Sequence, residues 1–146
     1  MVFLKIPLAI EASDKISLSA ILKCSRRNIL LSVKFIIDTG SPFTFLGWDD
    51  AAKQERLLKN LRIKETALMG GGKMNIAEIP DAVALMFKNE NGELCALELP
   101  NFSLADRPSK KGDMFSPSII GLDFLRSNNF KLVVDMKNKQ AYLERD

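Results

Sequence analysis

The sequence predicts a mainly β domain, and three observations carry that prediction. Residues 16–22 alternate apolar and small polar side chains, the period of a half-buried strand. Asn91-Gly92 stands between two apolar runs and signals a hairpin, because the tight turn needs residues that accept positive φ. Clusters of Ser, Asp, Asn, Gly and Pro break most of the chain into short apolar runs. The 146 residues fit one domain, residues 1–146, with enough chain for a real core. The 47% apolar and 27% charged content is that of an ordinary globular protein.

Taken in order, residues 2–10 read as a strand, with Pro7 marking an edge or a bulge. Ser13-Asp14-Lys15 turns the chain into the alternating strand 16–22, and residues 24–28 turn it again. Residues 29–37 form the next strand. Its end, Phe35-Ile36-Ile37, is apolar on both faces, as in a central strand. Residues 43–46 read as another strand. Residues 49–61 then change to a helical period, with an Asp N-cap, acids in the first turn and bases toward the end. Strands are expected at 62–69, 74–79, 82–87 and 94–99, with Met69, Gly70, Gly71, Gly72 and Lys73 as a glycine loop between the first two. Residues 100–117 carry three prolines and read as a polar surface loop. A short buried strand at 118–120, a short helix at about 122–128 and a C-terminal hairpin over 130–144 complete the chain.

Several function classes fall away. The net charge of +3 is mild, and the basic pairs Arg26-Arg27 and Lys110-Lys111 lack interleaved aromatics, so nucleic acid is not an expected partner. No histidine is present, which removes Ser-His-Asp and Cys-His catalysis and His-based metal sites; no metal or cofactor is expected. Cys24 and Cys95 form no CxxC motif and read by default as two buried thiols, with a single disulfide left open. Lys5 and Pro7 interrupt the apolar start, so it does not read as a signal peptide, and no run is long enough to span a membrane. The expectation is a cytoplasmic protein without a membrane partner.

Within this frame, Ile36-Ile37-Asp38-Thr39-Gly40-Ser41 is physically odd. An acid at the mouth of a buried strand is costly unless hydrogen-bonded or put to use. Thr39 and Ser41 offer donors, and Gly40 permits a turn. By itself the stretch is equally a strand end followed by ordinary turn residues.

Together with the glycine-tipped hairpin and Ile119-Ile120-Gly121-Leu122-Asp123-Phe124-Leu125, this stretch resembles the retropepsin-like aspartic proteases, single-domain relatives of pepsin and the retroviral enzymes. The likeness spans about residues 2–144. It implies a closed, barrel-like β domain of that fold, with a longer surface helix at about 49–61 and a short one at about 122–128. It also implies an aspartic endopeptidase that works as a homodimer on peptide or protein substrates. With one Asp-Thr-Gly per chain, Asp38 pairs with Asp38 of a second copy, and two carboxylates that close share one proton. In the family pattern Asp38 is catalytic and Thr39 holds the two loops together across the dimer. Gly40 lets the substrate backbone approach, and Ser41 supports the carboxylate. Met69 to Lys73 form the flap over an extended peptide. Ile119, Ile120 and Gly121 pack beneath the Asp loop, while Asp123 reads as a first-turn acid of the short helix. Leu122 stands where viral members carry an Arg that ties this helix to the Asp loop. The alternatives are a catalytically inactive dimerisation or peptide-binding module on the same fold, and an unrelated β-rich ligand-binding domain.

Overall fold

The computed structural model describes residues 3–54, 62–67, 73–99, 102–105 and 117–146. Its twelve strands are β1 (Leu4–Ile10), β2 (Ile16–Cys24), β3 (Ile29–Ile37), β4 (Phe45–Leu46), β5 (Arg62–Ala67) and β6 (Lys73–Glu78), then β7 (Val83–Lys88), β8 (Leu94–Leu99), β9 (Ser103–Ala105), β10 (Ile119–Ile120), β11 (Lys131–Asp135) and β12 (Gln140–Arg145). Among the described residues two short α-helices accompany them, α1 (Trp48–Ala52) and α2 (Leu122–Ser127).

The long hairpin of β2 and β3 is the centre. Its alternating pattern buries Leu18, Ala20, Leu22 and Cys24 from one strand and Ile29, Leu31, Val33 and Phe35 from the other. Asn28, at φ 53°, closes the turn between them, and asparagine tolerates that left-handed backbone better than most residues. The outer side of β2 is shared. Ser17 and Ile16 pair with β1, whereas Ile21 to Lys23 pair with β7. β1 in turn pairs with β12 from Leu4 to Leu8 and crosses to β2 at Ala9 and Ile10.

One lateral row of paired residues orders the rest: Ala9, Ser17, Ile36, Ile119, Phe45, Ser103, Glu78 and Arg62 follow each other across eight strands. Asp38 stands two residues beyond this row. The core fills with Phe35, Phe102 and Phe124, each essentially without solvent contact, and with the aliphatic residues around them. Full burial of one such ring contributes on the order of 2–3 kcal/mol.

Four expectations need correction. The sheet is not a closed barrel: it runs from β11 at one end to β5 at the other, and neither end strand has a second strand partner among the described residues. The helix expected over 49–61 starts at Trp48, with Gly47 and not an aspartate as its N-cap, and its described part is helical to Ala52; residues 55–61 lie outside the described residues. Residues 100–117 are not wholly a surface loop. Ser103–Ala105 is a buried strand between β4 and β6, because Phe102, Leu104 and Ala105 supply apolar side chains that the three prolines obscured. The thiols are not both buried: Cys24 is, Cys95 is half-buried, and both are free.

The remaining elements follow the predicted order. β7 and β8 form the expected hairpin, although its loop is five residues long, between paired Lys88 and Leu94. The Asn89 side chain accepts the backbone N–H groups of Asn91 and Glu93 at 2.9 Å, and Gly92 at φ +77° takes the position that a side chain would strain.

Candidate active site

β3 delivers Asp38 at its C-terminal end. One face of the strand is buried as far as Ile37, and the next three residues, Asp38, Thr39 and Gly40, are all exposed. The change is abrupt because β10 lies parallel to β3, Ile119 beside Ile36 and Ile120 beside Ile37. The N–H of Ile36 donates to Ser118 O at 2.9 Å, and the N–H of Asp38 donates to Ile120 O at 3.0 Å. The acid's backbone is therefore held by the sheet while its side chain stands in solvent. Its Oδ1 accepts the Gly40 N–H at 2.9 Å, and the Ser41 N–H donates to Asp38 O at 3.1 Å, which closes the turn. An added Cβ on Gly40 would stand 3.1 Å from Asp38 Oδ1 and press on the carboxylate.

The Ser41 hydroxyl does not reach the carboxylate. It donates to Phe43 O at 2.8 Å and accepts the Phe43 N–H at 3.4 Å, so its role here is to shape the loop that follows. Thr39 is exposed, where a second chain would have access to it.

The second motif sits directly against the first. The Leu122 N–H donates to Ser41 O at 2.9 Å and the Asp123 N–H to Pro42 O at 3.2 Å. Gly121 makes this approach possible: a Cβ there would fall 2.4 Å from Phe43 O and 2.6 Å from Ser41 O, inside any real contact distance. Ile119 and Ile120 are buried beside β3.

Two hydroxyls contribute that the sequence reading passed over, Thr44 and Ser118. Thr44, buried in the loop, donates through Oγ1 to Asp123 Oδ1 at 2.6 Å and accepts the Gly121 N–H at 3.0 Å. Asp123 Oδ1 also accepts the Phe124 N–H at 2.7 Å, as a first-turn acid does, so it joins α2 to the Asp38 loop where Leu122 offers no charge. Ser118, nearly without solvent contact, donates to Asp50 Oδ2 at 2.6 Å and accepts the Gly47 N–H at 2.9 Å, which fixes α1 to the start of β10. The available signal was a lone hydroxyl inside an apolar run, at Phe43-Thr44-Phe45-Leu46 and at Ser118-Ile119-Ile120. Such a hydroxyl needs a partner once buried.

Of the expected flap, Met69, Gly70, Gly71 and Gly72 lie outside the described residues. β5 and β6 pair from Arg62 with Glu78 to Ala67 with Lys73, so those four residues fall in the connection between them and Lys73 opens β6. Among the described residues no cluster of three or more potential metal-ligating side chains occurs, and no helix is long and apolar enough to cross a membrane.

No protein-family model matches the chain, and no curated protein matches it. Among solved structures the fold is similar to the crystal structure of a retropepsin-like aspartic protease from Rickettsia conorii. The two share 20% sequence identity at a TM-score of 0.52, over 98% of this chain and 92% of that one. At that identity the likeness shows the fold.

Proposed function

We propose that the chain is an aspartic endopeptidase that acts as a homodimer, hydrolysing extended peptides with a water held between Asp38 and the partner's Asp38. The observation that carries this reading is the exposed Asp38 carboxylate on a loop whose backbone is pinned from behind by Ile120, Leu122 and Asp123. A turn acid without a task needs no such support, whereas a carboxylate that must meet another group at fixed distance does. The fold shared with the Rickettsia enzyme supports the same reading.

In this mechanism the two carboxylates share one proton, since two negative charges in contact cannot both persist. The ionised member takes a proton from water as it attacks the scissile carbonyl, while the protonated member donates to the carbonyl oxygen. The resulting gem-diol then collapses: the carboxyl that took the water's proton gives it to the leaving nitrogen, the C–N bond breaks, and the other carboxylate takes a proton back from a diol hydroxyl, which restores the shared proton. Thr39 joins the two loops, and Gly40 leaves room for substrate backbone beside the carboxylate. Met69 to Lys73 cover the peptide.

The test is cleavage of an unfolded protein between about pH 3 and 8, with pepstatin as a probe and Asp38→Asn as the control. Cleavage by the native chain that Asp38→Asn abolishes supports the reading. Cleavage that survives the substitution overturns the mechanism, and no cleavage at any pH favours the binding module.

A further inference from the structure

β8 is the open margin of a side sheet. β7 joins β2 at Ile21 to Lys23, and β8 pairs with β7 from Leu94 beside Lys88 to Leu99 beside Val83. Among the described residues no strand pairs with the other side of β8. The hairpin loop fixes which way its backbone points. The Asn89 N–H donates to Glu93 O at 2.9 Å, which makes those two a hydrogen-bonded pair. Antiparallel pairs alternate, so Cys95, Leu97 and Leu99 turn their backbone groups to β7. Leu94, Ala96 and Glu98 turn theirs to the open side.

Both faces of this edge are apolar. Leu94, 64% exposed, and Ala96 stand on the outer face, and Met86 and Ile21 continue the row of Ala96 across β7 and β2. Cys95 and Leu97 pack against the core but are only half-buried, so the core is open along β8. Natural sheets guard such edges with lysine, proline or a bulge. β8 has none of these: it reads Leu-Cys-Ala-Leu-Glu-Leu, and its register with β7 is unbroken.

The one charge on the strand selects the occupant. Glu98 is exposed, and no ion pair engages it among the described residues. From these residues we infer that β8 docks an extended segment of a partner protein as a further antiparallel strand. The segment carries a lysine or arginine opposite Glu98, then apolar residues that face Leu97, Ala96, Cys95 and Leu94 in turn. Those at Leu97 and Cys95 close the core, and the small Ala96 leaves room for a large side chain on the outer face. A second copy of this chain fits less well. Antiparallel pairing about Ala96 would set each Leu94 against Glu98 of the other copy, an unmatched carboxylate on either side. The edge is also separate from the Asp38 loop: β7 meets β2 at Ile21 to Lys23, whereas Ile36, two residues before Asp38, faces Ser17. The docking therefore needs neither the homodimer nor the proteolysis proposed above.

The test is binding of a labelled peptide, Thr-Lys-Val-Tyr-Val-Leu-Thr, to the full chain by fluorescence anisotropy. The expected Kd is on the order of 10–100 µM, since a short strand buries little area. Glu98→Lys should weaken binding about tenfold or more, and a peptide with Glu in place of its Lys should recover that loss. Methylating the peptide's tyrosine nitrogen, which would donate to Ala96 O, should abolish binding with the protein unaltered. In hydrogen exchange the peptide should slow the amides of Leu94, Ala96 and Glu98, while those of Cys95 and Leu97, already bonded to β7, change little. Asp38→Asn should bind as the native chain does. No binding at about 1 mM peptide, a methylated peptide that binds as well, Glu98→Lys with unchanged affinity, or loss of binding in Asp38→Asn would each overturn the inference. Proline at 96 removes only the outward N–H. Self-association that Ala96→Pro abolishes would therefore give the edge to a second copy and overturn the inference likewise.

Discussion

Ile36-Ile37-Asp38 and Ile119-Ile120-Gly121 are nearly the same stretch with opposite fates. Both are pairs of isoleucines at the end of a strand, and they lie side by side in parallel register. The first ends in an exposed acid. The second ends in a glycine pressed against two carbonyl oxygens. The difference teaches a division of labour: one strand end presents a carboxylate to solvent, and the other gives up its side chain so that backbone can hold the first in place. A site of this type is built from a pair of loops of which only one needs chemistry.

The strongest way to break this comparison is to remove the chemistry and leave the frame. Asp38→Asn should lower peptide hydrolysis by about 10³-fold or more, with an unfolding midpoint close to that of the native chain, as an exposed carboxylate carries little stability. Gly121→Ala should do the reverse. Its Cβ meets backbone at 2.4 Å and cannot be relieved by a rotamer, so urea unfolding should show a loss of about 2–3 kcal/mol. Activity should fall with it as the Ser41–Phe43 segment is displaced. Gly40→Ala sharpens the contrast, because its Cβ meets only the Asp38 side chain at 3.1 Å. Stability should change by less than about 1 kcal/mol while the turnover rate drops.

Ser118→Ala probes the frame further from the chemistry. It leaves Asp50 and the Gly47 N–H short of a buried partner and should cost about 1–2 kcal/mol by denaturant unfolding. The smallest effect concerns acid. The Lys34 ammonium bonded to Glu11 holds that carboxyl below its usual range, and Asn138 does the same for Asp135. Both pKa values are depressed in the folded chain. Their stabilisation is therefore complete above the ordinary carboxylate range and is lost as pH falls through the folded values, below about pH 4. Melting curves of Glu11→Gln and Asp135→Asn should show a shallower decline over that range.

Much of the frame was legible because strand burial writes itself into alternation, as in residues 16–22, and because Asn28 and Gly92 mark backbone that few residues accept. The position of Asp38 was legible for the same reason, as an acid after three apolar residues. Other features were not. Ser103–Ala105 is too short to show a period and follows a proline, so its burial depends on neighbours 58 positions away in the chain, Phe45 and Leu46. Thr44, Ser118 and Asp50 gain their meaning from partners 68 to 79 residues distant, which no local pattern encodes. Ser41 was expected at the carboxylate because its hydroxyl is near in sequence; the Phe43 backbone is nearer in space.

The placement of β10 has a consequence for how the chain reaches this state. Ile119 pairs with Ile36 on one side and Phe45 on the other, filling a gap between strands made more than 70 residues earlier. The turn at Asp38 is closed by its own local bonds, but the frame that braces it from behind cannot close until that late segment arrives. Its closure carries the entropy of a long loop and should set the pace of folding. During synthesis the acid would remain unframed until the last fifth of the chain is made, so a nascent or truncated chain has no organised site.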